Sequence, residues 1–172
     1  MVVVRPARSE DAAAIGSIHV RAWQVGYRGI APDSYLDALS IGERVTMWEE
    51  QLAKLAVDRV VLVAEDGTTI VGFGGGGPAL RPPEEGVFEL YVLNVDPEEW
   101  GMGAGGALLE AFTAWCRKRA ARELVLWVAK DNARARGFYE RRGLSWDGTI
   151  ERHDVLGIEF VECRYKKALD KS

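Results

Sequence analysis

Cysteine is scarce in this chain, with only Cys116 and Cys163 among 172 residues. Two thiols so far apart supply neither a disulfide framework nor metal-ligand spacing, and no metal site is expected. Cys116 falls inside a helical apolar pattern, where a thiol is ordinarily buried and structural. Positive charge is not in excess: 22 Lys and Arg face 26 Asp and Glu, for a net charge of −4. A general nucleic-acid binder usually carries a basic face, so no nucleic-acid partner is expected. No apolar run is long enough to span a bilayer, and Met1-Val-Val-Val-Arg-Pro6 has no apolar signal core. The expectation is a cytoplasmic protein without membrane association. Repeats, low-complexity tracts and linkers are also missing. What remains is 48% hydrophobic and 28% charged, ordinary for a globular protein, and the length suits a single domain over residues 1–172.

The elements follow from pattern. Residues 2–5 form a β-branched strand ended by Pro6. Ser9 is read as the cap of a helix through Ile15, Ile18 and Ala22, which Gly26 and Gly29 break. Pro32-Asp33 and Ile41-Gly42-Glu43 begin two further helices. Residues 58–64 are strand-like and rich in valine; Asp66-Gly67 is a hairpin turn, and residues 69–73 return. Residues 74–86, with Gly74–Gly77 at their start, read as a loose connection. Residues 87–95 form a long central strand, residues 103–120 an amphipathic helix, and Glu123-Leu-Val-Leu-Trp-Val128 a strand buried on both faces. A helix over 132–142 is closed by Gly143. Strands at 144–146 and 160–166 flank a loop at 147–157. The order predicts a mixed α/β fold of three layers, with helices on both faces of one sheet.

The most informative stretch joins the central strand to the helix after it: Asp96-Pro-Glu-Glu-Trp-Gly-Met-Gly-Ala-Gly-Gly-Ala-Leu-Leu109. A strand, an acidic turn, a glycine cluster and a helix start aim several bare N–H groups at one point, at the positive end of a helix dipole. Such a point suits a phosphate. Each exposed dipole contact contributes only about 0.3–1 kcal/mol, so several donors must act together. Gly101 and Gly106 have P-loop separation, but Ala107-Leu108 stands where Lys-Ser/Thr is required. Gly101-x-Gly103-x-x-Gly106 matches a dinucleotide fingerprint, yet that motif belongs tight against the strand end in the first βα unit, and here Asp96 to Trp100 intervene.

A second segment supplies what the glycines leave open. Asn132-Ala-Arg-Ala-Arg-Gly-Phe-Tyr-Glu-Arg-Arg-Gly-Leu144 reads N-x-x-A-x-x-F-Y-E-x-x-G-hydrophobic. With Trp100-Gly-Met-Gly103-Ala-Gly105 at a Q/R-x-x-G-x-G/A position, the two segments together resemble the GNAT superfamily of acetyl-CoA-dependent N-acetyltransferases. Tryptophan replaces the Gln or Arg of the first position. The resemblance implies a mostly antiparallel mixed sheet of about seven strands, splayed between the fourth and fifth, and acetyl-CoA as cofactor. It implies that Trp100, Gly101, Met102, Gly103, Ala104, Gly105, Gly106 and Ala107 surround the pyrophosphate, the backbone N–H groups doing the holding. Leu93 and Val95 then bond the pantetheine arm through their backbone, with Asn94 between them and a bulge near Asp96-Pro97 opening the sheet. Asn132, Ala135 and Phe138 carry the second cofactor contact, and Asn132 is also a helix cap. Lys130, Arg134 and Arg136 either meet the ribose phosphate or form a solvated face.

Acetyl transfer to an amine needs a neutral amine, whose unperturbed pKa is near 10.4. Glu89 is the candidate base, a carboxylate in an otherwise apolar strand, where charge is costly unless used or paired. Alternation places Glu89, Tyr91, Leu93 and Val95 on one face. Glu84, Glu85, His153 and Asp154 are weaker substitutes. Tyr139 is the candidate acid toward the leaving thiolate, and a backbone N–H near Val95 polarises the carbonyl. Trp23, Tyr27 and Arg28 are the candidate acceptor contacts, opposite the 147–157 loop. The expected activity is direct, ternary-complex transfer of an acetyl group to a primary amine of a small molecule or peptide, and the resemblance suggests a homodimer. The alternatives are a catalytically idle acyl-CoA-binding sensor and, further off, a nicotinamide-binding protein.

Overall fold

The computed structural model describes residues 1–170. Its strands are β1 (Val2–Pro6), β2 (Val60–Asp66), β3 (Thr69–Pro78), β4 (Val87–Val95), β5 (Glu123–Ala129), β6 (Ser145–Val155) and β7 (Ile158–Ala168). They form one seven-stranded sheet in the order β1-β2-β3-β4-β5-β7-β6. Neighbours are antiparallel except β4 and β5, which run parallel. The helices are α1 (Ala12–Gly26), α2 (Asp33–Asp37), α3 (Ile41–Ala53), α4 (Ala104–Arg117) and α5 (Ala133–Glu140).

Strand β2 is apolar at every position from Val60 to Ala64 because both of its faces are covered. Leu62 and Ala64 pack with Leu108, Phe112 and Cys116 of α4 on one side. Val61 and Val63 pack with Ile15 and Ile18 of α1 and Trp48 of α3 on the other. Each fully buried aliphatic or aromatic side chain of this kind contributes about 1.5–3 kcal/mol. The result is the three-layer mixed α/β architecture that the element order predicts.

Three local expectations are corrected. Gly74–Gly77 is not a loose connection but part of β3, with Gly74 to Gly76 paired on both sides and Gly77 paired with β4. A Cβ at Gly75 would stand 2.3 Å from the Val60 carbonyl oxygen, and one at Gly76 would stand 1.9 Å from that of Glu89. The glycines serve close approach of three strands, not flexibility. Residues 147–155 are not loop either: β6 runs to Val155 and returns through Leu156-Gly157 as a long hairpin with β7. Its sequence is polar because it is an edge strand, and Asp147-Gly148, which looks like a turn, is an irregularity within it where the Asp147 carboxylate accepts from Arg164 Nε at 2.6 Å. Finally, Ser9 does not cap α1. It lies in a 3-10 turn, and the Asp11 carboxylate organises the helix start by accepting the Arg8 N–H at 2.7 Å and the Arg5 guanidinium at 2.8 and 3.0 Å.

Candidate active site

The sheet opens where its one parallel pair ends. Strands β4 and β5 are bonded only from Val87 to Leu90 and from Glu123 to Leu126. Beyond that, β4 stays with β3 and β5 stays with β7. The gap widens into a cleft of about 920 Å³, walled by α1 and by α5 and closed at one end by the glycine turn. This volume suits a large organic ligand.

A β-bulge decides which groups face the cleft. Gly75 pairs with Val92 and Gly76 with Leu90, so Tyr91 is an extra residue on β4. The bulge lies there and not near Asp96-Pro97. It also reverses the side-chain alternation, so Glu89 does not share a face with Leu93 and Val95. Leu90 before the bulge and Leu93 and Val95 after it all pack toward the α4 cluster. Glu89 points to the other face. The Asp96 N–H bonds the Val71 carbonyl at 2.8 Å, on the β3 side. The main-chain groups of Val95, one residue earlier, and of Leu93 therefore point the opposite way, into the splay.

Trp100 uses one of these groups. Its indole Nε1–H donates to the Val95 carbonyl at 2.8 Å, and its ring lies 3.4 Å beneath the Arg134 guanidinium. The ring thus reaches from the turn to α5, alongside Gly26 of α1. Asp96 anchors the turn, accepting the Glu98 N–H at 3.1 Å and pairing with Arg21 of α1.

Gly101 and Gly103 have φ of +81° and +98°, left-handed values that favour glycine. A Cβ at either would meet nothing within 4 Å, so open space lies above the backbone there. The first helical bond of α4 runs from the Ala107 N–H to the Gly103 carbonyl at 3.0 Å, which leaves the N–H groups of Ala104, Gly105 and Gly106 at the orphan positions of a helix start. The cradle is narrower than residues 101–107. Met102 is 70% exposed with its N–H on Glu99, the Ala107 N–H is spent inside the helix, and neither residue lines the cleft. Trp100, Gly101 and Gly103 to Gly106 do line it. Arg142 stands beside this turn, 2.8 Å from where a Gly106 Cβ would be.

On α5, the Asn132 side chain caps the helix by accepting the Ala135 N–H at 3.1 Å, and Asn132, Ala135 and Phe138 line the cleft with Asn94. Tyr139 is 9% exposed, and burial together with Tyr27 pushes its phenol above the usual range. Arg134 lines the cleft, whereas Arg136 is held by Tyr165 and the Lys130 carbonyl and does not.

At the far end, Glu89 is 4% exposed, and its Oε1 is buried without a hydrogen-bond partner among the described residues. Burial is the main reason its carboxyl is pushed up to about 7; the nearby Arg81 charge and Leu80 N–H oppose the shift, and Glu162 adds to it. Trp23 and Tyr27 line this end, with ring centroids 4.8 Å apart, beside Phe160. Arg28 does not join them: its guanidinium is held outside by Asp33 at 3.2 Å and Asp37 at 2.6 Å. His153 and Asp154 line the cleft from β6, while Glu84 pairs with Arg122 away from it. Arg81 and Glu162 were not anticipated, although alternation along β7 places Glu162 on the inward face with Phe160, the same criterion that singled out Glu89. Both cysteines are buried, and burial pushes the Cys116 thiol up to about 12.

Among the described residues no helix is long and apolar enough to cross a membrane. The family model described as the acetyltransferase (GNAT) family matches residues 10–144. An uncharacterized N-acetyltransferase of Bacillus subtilis (strain 168), YuaI, is 33% identical over 134 residues, covering 77% of this chain and 74% of that protein. A probable N-acetyltransferase of Mycobacterium tuberculosis, Rv2775, is 26% identical over 167 residues, covering 95% and 91%. Among solved structures, the PaiA N-acetyltransferase of Thermoplasma acidophilum in complex with coenzyme A shares the fold, with a TM-score of 0.71 and 21% identity over 98% of this chain and 99% of that one.

Proposed function

The chain belongs to the acetyltransferase (GNAT) family, acyltransferases that use acetyl-CoA, and from that premise we propose that it is a single-domain N-acetyltransferase acting on a primary amine by direct transfer in a ternary complex. One observation carries the reading. One cleft joins main-chain donors at the orphan positions of a helix start to a buried carboxylate with an oxygen that has no partner among the described residues.

The residues present fit the cofactor. The left-handed glycines leave room where side chains would intrude, and the orphan N–H groups of Ala104, Gly105 and Gly106 suit a pyrophosphate at a helix N-terminus. Arg134 and Arg142 supply positive charge beside them. The open edge of β4 at Leu93 and Val95 suits an extended amide-bearing arm. When bound, acetyl-CoA supplies the acetyl group as an activated thioester.

The chain's own groups then divide the work. Glu89 accepts a proton from the incoming ammonium, and a carboxyl near 7 is well matched to that task at neutral pH. The Val95 N–H, on the open edge, donates to the carbonyl oxygen as negative charge grows on it. Tyr139 donates its phenolic proton to the departing sulfur. Burial raises its pKa and weakens it as an acid, so close placement against the sulfur has to offset the poor driving force. The aromatic wall of Trp23, Tyr27 and Phe160 holds the body of the acceptor. With both thiols buried, no acyl-enzyme route is offered.

The test is acetyl-CoA-dependent thiol release over a panel of amines, with wild-type protein and Glu89→Gln. Turnover of at least one amine that falls about a hundredfold or more in the variant supports the reading. Tight acetyl-CoA binding with no turnover of any amine refutes catalysis and leaves the idle sensor.

A further inference from the structure

Two buried carboxylates compete for one guanidinium at the acceptor end of the cleft. Glu89 of β4 and Glu162 of β7 are 4% and 7% exposed. Arg81, in the connection between β3 and β4, lies over the Trp127 ring at 4.6 Å and donates from Nη2 to Glu162 Oε1 at 3.1 Å. Its Nη1, like Glu89 Oε1, is buried without a partner among the described residues. Arg81 is thus committed to Glu162, and Glu89 feels its charge without bonding it. A buried carboxylate bonded to a guanidinium is held ionised and acidic, and is then a poor proton acceptor. Here the geometry avoids that outcome.

We propose that Glu162 is a positioning residue: by holding Arg81 it withholds the guanidinium from Glu89 and so keeps Glu89 free to take a proton from the amine. This rests on the reading of Glu89 as base. The charge balance is coherent. Arg81 and Glu162 form a neutral pair, and the ammonium and the Glu89 carboxylate become amine and carboxylic acid, so the buried site gains no net charge as the proton moves. Glu162 is itself pushed up by burial and held down by Arg81, with His153 of β6 acting in the same direction as Arg81. Tyr91 on β4 and Tyr27, just past the end of α1, are further titratable neighbours, and burial raises both to about 12, so they stay neutral over the working range. Trp127 of β5 contributes only an uncharged N–H.

The experiment is a side-chain carboxyl ¹³C NMR titration of the free protein, with Glu89 assigned by its loss in Glu89→Gln, run on wild type, Glu162→Gln, Arg81→Gln and the double variant. In Glu162→Gln, Arg81 turns to Glu89, and the proton affinity of Glu89 falls at least tenfold. The acid limb of the kcat/KM profile moves to lower pH with it. In Arg81→Gln the affinity rises, and the double variant returns toward wild type, a rescue that a merely structural role would not give. An unchanged or raised Glu89 titration in Glu162→Gln overturns the proposal. Where that variant does not fold, an unmoved Glu89 in Arg81→Gln does so. The titration needs no turnover: a wild-type pH profile in Glu89→Gln removes Glu89 as base while leaving the coupling to be decided by NMR.

Discussion

Replacing Trp100 by Phe should tighten the binding of acetyl-CoA. Trp100 occupies the position where resembling sequences carry Gln or Arg, and in this structure its indole N–H holds the Val95 carbonyl at 2.8 Å. That carbonyl lies on the β4 edge that β5 has left, so an extended amide arm pairing with the edge must first displace the indole. A neutral intramolecular hydrogen bond contributes a net of about 0.5–1.5 kcal/mol. At about 1.4 kcal/mol per tenfold, its removal raises affinity roughly twofold to twelvefold. Phe keeps a ring under Arg134, which in wild type stacks at 3.4 Å, so most of that contact survives and the change isolates the N–H. Isothermal titration calorimetry of the free protein with coenzyme A and with acetyl-CoA measures it. An equal Kd in both proteins refutes the reasoning, because it means the indole bond persists in the complex and the arm does not use Val95. A weaker Kd refutes it more sharply, since the N–H then helps to hold the cofactor.

Tyr139→Phe should lower kcat by about a hundredfold or more while leaving the acetyl-CoA KM nearly unchanged, as steady-state kinetics with a turned-over amine will show. Gly76→Ala should cost more than the about 1–3 kcal/mol usual for overpacking, because its methyl would fall 1.9 Å from the Glu89 carbonyl oxygen and 2.8 Å from Phe112. Gly42→Ala, which meets only Ser40 Oγ at 3.7 Å in α3, should instead stabilise by about 0.4–1 kcal/mol, and thermal melts of the two variants check the contrast. Asp11 is held below the usual carboxylate range first by its bond to Arg5. Its folded pKa is depressed, so the stability it contributes is fully present above the unfolded value of about 3.9 and is lost as pH falls toward the folded one. Calorimetric melts from about pH 5 to pH 2 should show that loss in wild type and a flatter profile in Asp11→Asn.

What was legible in the sequence was local, and what was not depended on partners distant along the chain. Asp66-Gly67 names its own hairpin, and the glycines after Trp100 name a turn into a helix, because left-handed backbone is a property of the residue itself. Gly74–Gly77 carries the same letters for a different reason: two neighbouring strands leave no room for a Cβ, and that cannot be read without knowing that Val60 and Glu89 lie opposite. The bulge at Tyr91 changes no composition, yet it reverses every side chain after it, so Glu89 was identified as a buried acid correctly while Leu93 and Val95 were not its companions on the same face. Arg81 and Glu162 are 81 positions apart and meet only because β7 lies beside β5 and the sheet opens next to both. The candidate base could be found from its strand alone, but the ion pair argued to keep it basic required the register of the whole sheet. A reading from sequence therefore reaches the candidate base sooner than it reaches the residues proposed to tune its proton affinity.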